Sequence, residues 1–90
     1  IVAAPRQRSQ TPCINPTGNA RLATGGTGDV LAGLLAARIA SIAATHDHAE
    51  LHAKSFAETR KACWQHGQIA DQWPEFSQLT ASRLAQALTS

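Results

Sequence analysis

The chain has no methionine, only two cysteines, and charges on just 16% of its 90 residues. Each shortage removes a class of explanation. With a net charge of +2 and basic residues that are scattered, there is no electrostatic case for a nucleic-acid or membrane partner. Arg6 and Arg8 lie in a Gln/Ser-rich turn, and the other cations stand singly on helical stretches without aromatic interleaving. Cys13 and Cys63 are far apart and lack zinc-type spacing, so they read as inert thiols of a reducing compartment. No signal peptide is visible, and the expected location is cytoplasmic. The longest apolar stretch, Val30 to Ala44, is interrupted by Arg38 and Ser41 and falls short of the roughly 20 residues a bilayer requires. The missing methionine includes an initiator, and Ile1-Val2-Ala3-Ala4 reads as a strand already under way. Residues 1–90 are therefore expected to be part of a single domain and not a whole one.

What the chain does have is a glycine-rich turn running into an apolar helical pattern. Gly25, Gly26 and Gly28 leave the backbone free of Cβ atoms, so that successive N–H groups can converge on an anion. Val30, Leu31, Leu34, Leu35, Ile39 and Ile42 follow at helical spacing, which puts the positive end of a helix dipole at the same place. Asp29 stands in the first turn. A Walker-type loop is excluded, because Gly28-Asp29-Val30 occupies the place of Gly-Lys-Ser/Thr. A dinucleotide fingerprint is excluded too, since Leu31 stands where a third Gly or Ala is needed. A glycine cradle followed by a carboxylate suits phosphoryl transfer: the amides stabilise charge on the transferring oxygens while the acid accepts a proton from the attacking hydroxyl. The ordinary alternative is a loop and cap, with Thr27 capping the helix and Asp29 stabilising its first turn.

Asn15-Pro16-Thr17-Gly18-Asn19 followed by Leu22-Ala23-Thr24-Gly25-Gly26-Thr27-Gly28-Asp29-Val30-Leu31-Ala32-Gly33 resembles the C-terminal signature of the ADP-dependent NAD(P)H-hydrate dehydratases. Weaker likeness continues through His66-Gly67, Ala70-Asp71 and Leu79-Thr80-Ala81. The resemblance implies the C-terminal portion of an α/β, ribokinase-like fold, with a β-hairpin followed by about three helices. It also implies that ADP phosphorylates the S form of hydrated NADH or NADPH, and that elimination of phosphate then restores the cofactor. Gly25, Gly26, Thr27 and Gly28 would bind the nucleotide. Asp29 would be the catalytic base and contact the hydrated nicotinamide, with Mg2+ carried by the nucleotide and no metal ligands assigned on the chain. Two departures stand out: Ala20-Arg21 in place of Pro-Gly, and Arg83 in place of an acid.

Along the chain, Ile1 to Ala4 and Thr11 to Asn15 read as strands of a hairpin joined by the polar turn Pro5 to Gln10. Asn15, Thr17 and Asn19 read as turn formers bonding nearby backbone, or as a loop shaped to cover the nucleotide. A first helix is expected over about Thr27 to Ala44, buried on most of its surface, with Gly33 and the alanines admitting close neighbours. Asp47 with Glu50 forms one capping-box pattern and Ser55 with Glu58 another, the second starting the firmer helix. Its face is expected to comprise Phe56, Cys63, Gly67 and Ala70, and it ends by Trp73-Pro74. His48 and His52 at i, i+4 have metal-ligand spacing, but with His46 beside them and no apolar cover a solvated surface is the better reading. The resemblance places the firmer helix beside the nucleotide, so that His66 and Gly67 would approach the adenine; alternatively Gly67 only permits a close helix crossing, and packing is favoured. Thr80 is expected to cap a last helix through Leu88, with Leu79 and Leu84 as its staple.

Three functions compete at this level. The first is the dehydratase, whose isolated fragment is expected to be inactive because most of the substrate pocket would lie elsewhere. The second is an ATP-dependent kinase of a sugar or vitamin precursor. The third is an inactive anion-binding fragment that folds by homo-oligomerising.

Overall fold

A computed structural model of the chain describes residues 1–5 and 10–89. Among the described residues, three α-helices, α1 (Thr27–Thr45), α2 (His48–Gln72) and α3 (Ala81–Thr89), follow a 3-10 turn at Ala20–Leu22. The expected α/β architecture does not form. Among the described residues the hairpin is reduced to one antiparallel bridge, Val2 with Cys13, closed by N–H···O bonds of 2.7 and 2.8 Å. Pro12 cannot donate to a ladder, and Pro5 and Pro16 bound the two segments, so pairing stops at one residue each way. A two-stranded ribbon is in any case marginal without a third strand or a covering helix. Residues 6–9 of the expected polar turn lie outside the described residues.

The helices begin and end for local reasons. Gly26 is the N-cap of α1 with φ +94°, and its carbonyl accepts the Val30 N–H at 3.0 Å. Asp47 caps α2 by accepting the Glu50 N–H at 2.8 Å. From there α2 runs unbroken through Ser55, so the second capping pattern is not a start; Asp47 had already satisfied the first amides. Trp73 stands as C-cap ahead of Pro74, which holds it extended. Thr80 caps α3, its hydroxyl accepting the Arg83 N–H at 3.2 Å.

Only His46 and Asp47 separate α1 from α2, and the chain turns back on itself there. His66 meets Thr27, and Arg38 meets Glu58, so the two helices run antiparallel. A 25-residue helix is about 37 Å long at 1.5 Å per residue, which dictates the long axis of a 45 × 25 × 19 Å molecule. The radius of gyration, 14.2 Å, accordingly exceeds the roughly 12 Å of a compact chain of this size.

The core lies at the other end, where α3 folds across. Ala70, Leu79 and Leu84 form its buried centre, with Leu22, Val30, Ile69, Trp73 and Leu88 packed around them. Leu79 and Leu84 thus occupy the staple positions flanking the Thr80 cap. Helix α1 departs from expectation: of its residues only Thr27 is buried, while Ala32, Ala36, Ala40 and Ala44 are exposed and the leucines and isoleucines half-exposed. Gly33 admits no neighbour, since a Cβ there would meet nothing within 4 Å. By length and composition, its 19 residues also pass as a membrane span, which the shorter apolar stretch had argued against. The buried stripe of α2 is only in part the expected one, since Gly67 and Ala70 of that face are buried. It runs through Ala62, His66 and Ala70 at intervals of four, whereas Phe56 and Cys63 are half-buried.

Candidate functional site

The glycine turn sits where the 3-10 turn hands the chain to α1. Thr27 is turned inward, buried, with its hydroxyl donating to the carbonyls of Leu22 and Thr24. The Thr27 N–H donates to Thr24 as well, at 3.3 Å. It is therefore not the cap of α1; Gly26 is, and it has no side chain to offer. Gly26 is held to glycine on two counts, its positive φ and the Ala81 Cβ that would lie 3.0 Å from a Cβ placed on it.

Gly25 and Gly28 differ. Neither lies in the left-handed region, both are exposed, and a Cβ at either would meet no described atom within 4 Å. Gly28, in the first turn of α1, costs about 1 kcal/mol relative to alanine, and no described neighbour requires either glycine. The first helical bond is that of Val30 to Gly26, so the amides of Gly28 and Asp29 belong to the group that a helix start leaves over. Asp29 is exposed on the side of α1 that faces α3, at a groove of about 290 Å³ lined also by Val30, Gly33, Leu34, Ala85 and Leu88. The turn thus presents spare amides at an exposed helix start with a carboxylate one residue away, while the groove beside Asp29 is lined by none of Gly25, Gly26 and Gly28.

The preceding loop is held from below by α2. Gly67 makes this contact: a Cβ there would fall 2.6 Å from the Thr17 carbonyl carbon and 2.8 Å from the Gly18 nitrogen. Because that side chain is missing, mid-helix carbonyls one turn earlier remain reachable on their second lone pair. Thr17 Oγ1 donates to the Trp64 carbonyl at 2.9 Å, and Asn15 Nδ2 to that of Cys63 at 3.2 Å. One turn beyond Gly67, the Asp71 carboxylate accepts from Gly18 N–H at 3.0 Å and Asn19 Nδ2 at 3.1 Å. Asn15 also donates to the Thr17 carbonyl, and Asn19 Oδ1 accepts the Arg21 N–H, which is the local turn chemistry expected of them. His66, neighbouring Gly67 but facing the core, lies 3.0 Å by its Nε2 from the Thr27 carbonyl.

A family model, Carb_kinase, described as NAD(P)H-hydrate dehydratase, matches residues 1–90. The chain belongs to this family. No curated protein and no solved structure matches it.

In this chain the two sequence departures have structural roles. Arg21 donates from Nη1 to the carbonyls of Trp73 at 2.7 Å and Ala70 at 3.3 Å, capping the C-terminus of α2 where backbone acceptors are left over. Arg83 reaches the Gln78 carbonyl at 2.7 Å and stiffens the approach to α3. Sequence reasoning missed the inward turn of His66 and the Asp71 and Arg21 anchors. One signal was available for the first: His66 stands four residues from both Ala62 and Ala70, inside an apolar stripe. The rings of His48 and His52 lie edge to face, 5.1 Å between centroids, and among the described residues no three His, Cys, Asp or Glu side chains cluster as metal ligands would. Neither Cys13 nor Cys63 forms a disulfide.

Proposed function

We propose that this chain supplies the phosphate-binding turn and catalytic carboxylate of an ADP-dependent dehydratase of (S)-NADH or (S)-NADPH hydrate, a nicotinamide-nucleotide repair reaction. The observation that carries the reading is the pair of glycines, Gly25 and Gly28, which the fold does not need, at an exposed helix start beside Asp29. Anions gain there from both leftover amides and the helix dipole. Gly25, Gly26 and Gly28 would cradle the phosphates of ADP through their backbone. Thr27, spent on Leu22 and Thr24, would shape the turn and not touch the nucleotide with its hydroxyl.

Asp29 would accept the proton of the substrate hydroxyl as that oxygen attacks the terminal phosphorus of ADP, with AMP as leaving group. Departure of the phosphate with a proton from the neighbouring ring carbon would then restore the ring double bond. A positioned base contributes about a hundredfold to ten-thousandfold. Magnesium would neutralise the phosphates and would arrive with the nucleotide, since Asp29 is a lone carboxylate with no clustered ligands among the described residues.

The half-exposed apolar side of α1 supports reading the 90 residues as part of a larger domain, with α1 an interior helix rather than a membrane span. Arg38, in the middle of α1 and facing Glu58 of α2, argues in the same direction.

Incubation of the dehydratase carrying this sequence with (S)-NADH hydrate, ADP and magnesium is expected to regenerate absorbance at the NADH band, and Asp29→Asn to abolish that while leaving ADP affinity intact. Near-normal rates in Asp29→Asn would remove the base assignment. Brisk ATP-dependent phosphorylation of sugars or vitamin alcohols, without regeneration, would replace the dehydratase by the kinase.

A further inference from the structure

The proposed reaction leaves unused a buried titratable side chain that reaches the site from another element. His66 is 7% exposed, and its Nε2 stands 3.0 Å from the carbonyl of Thr27, 39 residues away in sequence. A carbonyl only accepts, so the imidazole hydrogen must sit on Nε2. That carbonyl belongs to the first residue of α1, and its second lone pair leaves it free to serve the helix as well. The same residue is tied on its other side through its hydroxyl to Leu22 and Thr24. Thr27 is therefore held from both sides, and the next two residues, Gly28 and Asp29, are those proposed to meet phosphate and substrate.

We infer that His66 is a positioning residue: by donating to the Thr27 carbonyl it sets the orientation of the first turn of α1, and with it the Gly28 and Asp29 amides and the Asp29 carboxylate. This rests on the phosphate-binding reading of that turn for its functional consequence. The arrangement has a simple logic on α2. Gly67 and Asp71, one turn apart, hold the start of the loop at Thr17 to Asn19. His66 and Ala70, displaced by one residue, face the core, and His66 holds the end of the loop at Thr27. Two adjacent residues of one helix thus hold both ends of the segment from Thr17 to Thr27, and the relation between them is fixed by the helix itself.

The test compares His66→Gln, whose amide nitrogen reaches about as far as Nε2 and can donate, with His66→Leu, which fills space without donating. In the ligand-free chain, exchange of the Val30 amide, bonded to Gly26, is expected to accelerate about tenfold or more in His66→Leu and to stay near normal in His66→Gln, while amides at the centre of α2 keep their protection. ADP titrated into the same proteins, followed at the Gly28 and Asp29 amide signals, should bind about tenfold more weakly to His66→Leu and within about threefold of normal to His66→Gln. Unchanged Val30 exchange in His66→Leu, or equal damage in both variants, overturns the inference. Accelerated exchange throughout α2 overturns it as well, because His66 would then be a general core residue. If ADP perturbs none of the turn amides in the unsubstituted chain, the phosphate-binding reading fails, and the exchange comparison still decides whether His66 orients the turn.

Discussion

Helix α1 and the C-terminal half of α2 reverse the usual relation between composition and constraint. Helix α1 is a near-continuous apolar run, yet only Thr27 on it is buried. Residues 62–71 of α2 include Gln65, His66, Gln68 and Asp71, and among them Ala62, His66, Gly67 and Ala70 are buried. Apolar content states that a helix gains by being covered and is silent on what covers it. A glycine beside a histidine in a polar helix is more informative here, because neither favours a helix as alanine does and each makes a particular contact. Here the contacts are the Thr17–Gly18 backbone and the Thr27 carbonyl.

Substitutions can break or sharpen this contrast. The largest loss is expected for Leu84→Ala, which empties a fully buried position beside Ala70 and Leu79. It should cost about 2–5 kcal/mol by urea denaturation. A cost below that of an exposed α1 alanine-to-serine change would mean that the α2–α3 end is not the core. Next comes Gly67→Ala, whose new methyl meets the Thr17 and Gly18 backbone as well as the Thr17 hydroxyl, so the loop must move; about 1–3 kcal/mol of destabilisation is expected, with amide shifts at Gly18 and Asn19. The matching change in α1, Gly33→Ala, has open space and should stabilise by about 0.5–1 kcal/mol. Opposite signs for these two glycines are the sharpest form of the comparison, and equal signs would dissolve it. The smallest effect is expected for Arg38→Ala. Its nitrogen is 3.9 Å from Glu58, beyond hydrogen-bonding distance, and both side chains are partly exposed, so thermal denaturation should register less than about 1 kcal/mol.

Several parts of this were legible beforehand because they are settled within a few residues. The cap at Asp47, the stop at Trp73-Pro74, the cap at Thr80 with its Leu79–Leu84 staple, and the extent of α1 follow from side chains three or four positions from the backbone they satisfy. The position of the glycine turn at the head of α1 was legible for the same reason. The hairpin was not, since alternation and β-branched residues describe a strand that needs further strands, and here Pro5, Pro12 and Pro16 leave one bridge. The face of α2 was half legible: Gly67 and Ala70 are buried as expected, but Phe56 and Cys63 are only half-buried and the stripe continues through Ala62 and His66 instead.

By itself the amino-acid order determined the family, the limits of α1 and α3, the stop of α2 and the site of the turn, all of which rest on short-range hydrogen bonding and on a continuous pattern that can be matched residue by residue. Only the tertiary structure decided that Gly67 receives the Thr17–Gly18 backbone, that Asp71 and Arg21 tie the loop to α2, and that His66 reaches Thr27. Those choices depend on how two antiparallel helices are set against each other in register and rotation. That setting is fixed by packing between residues dozens of positions apart, which no local window contains.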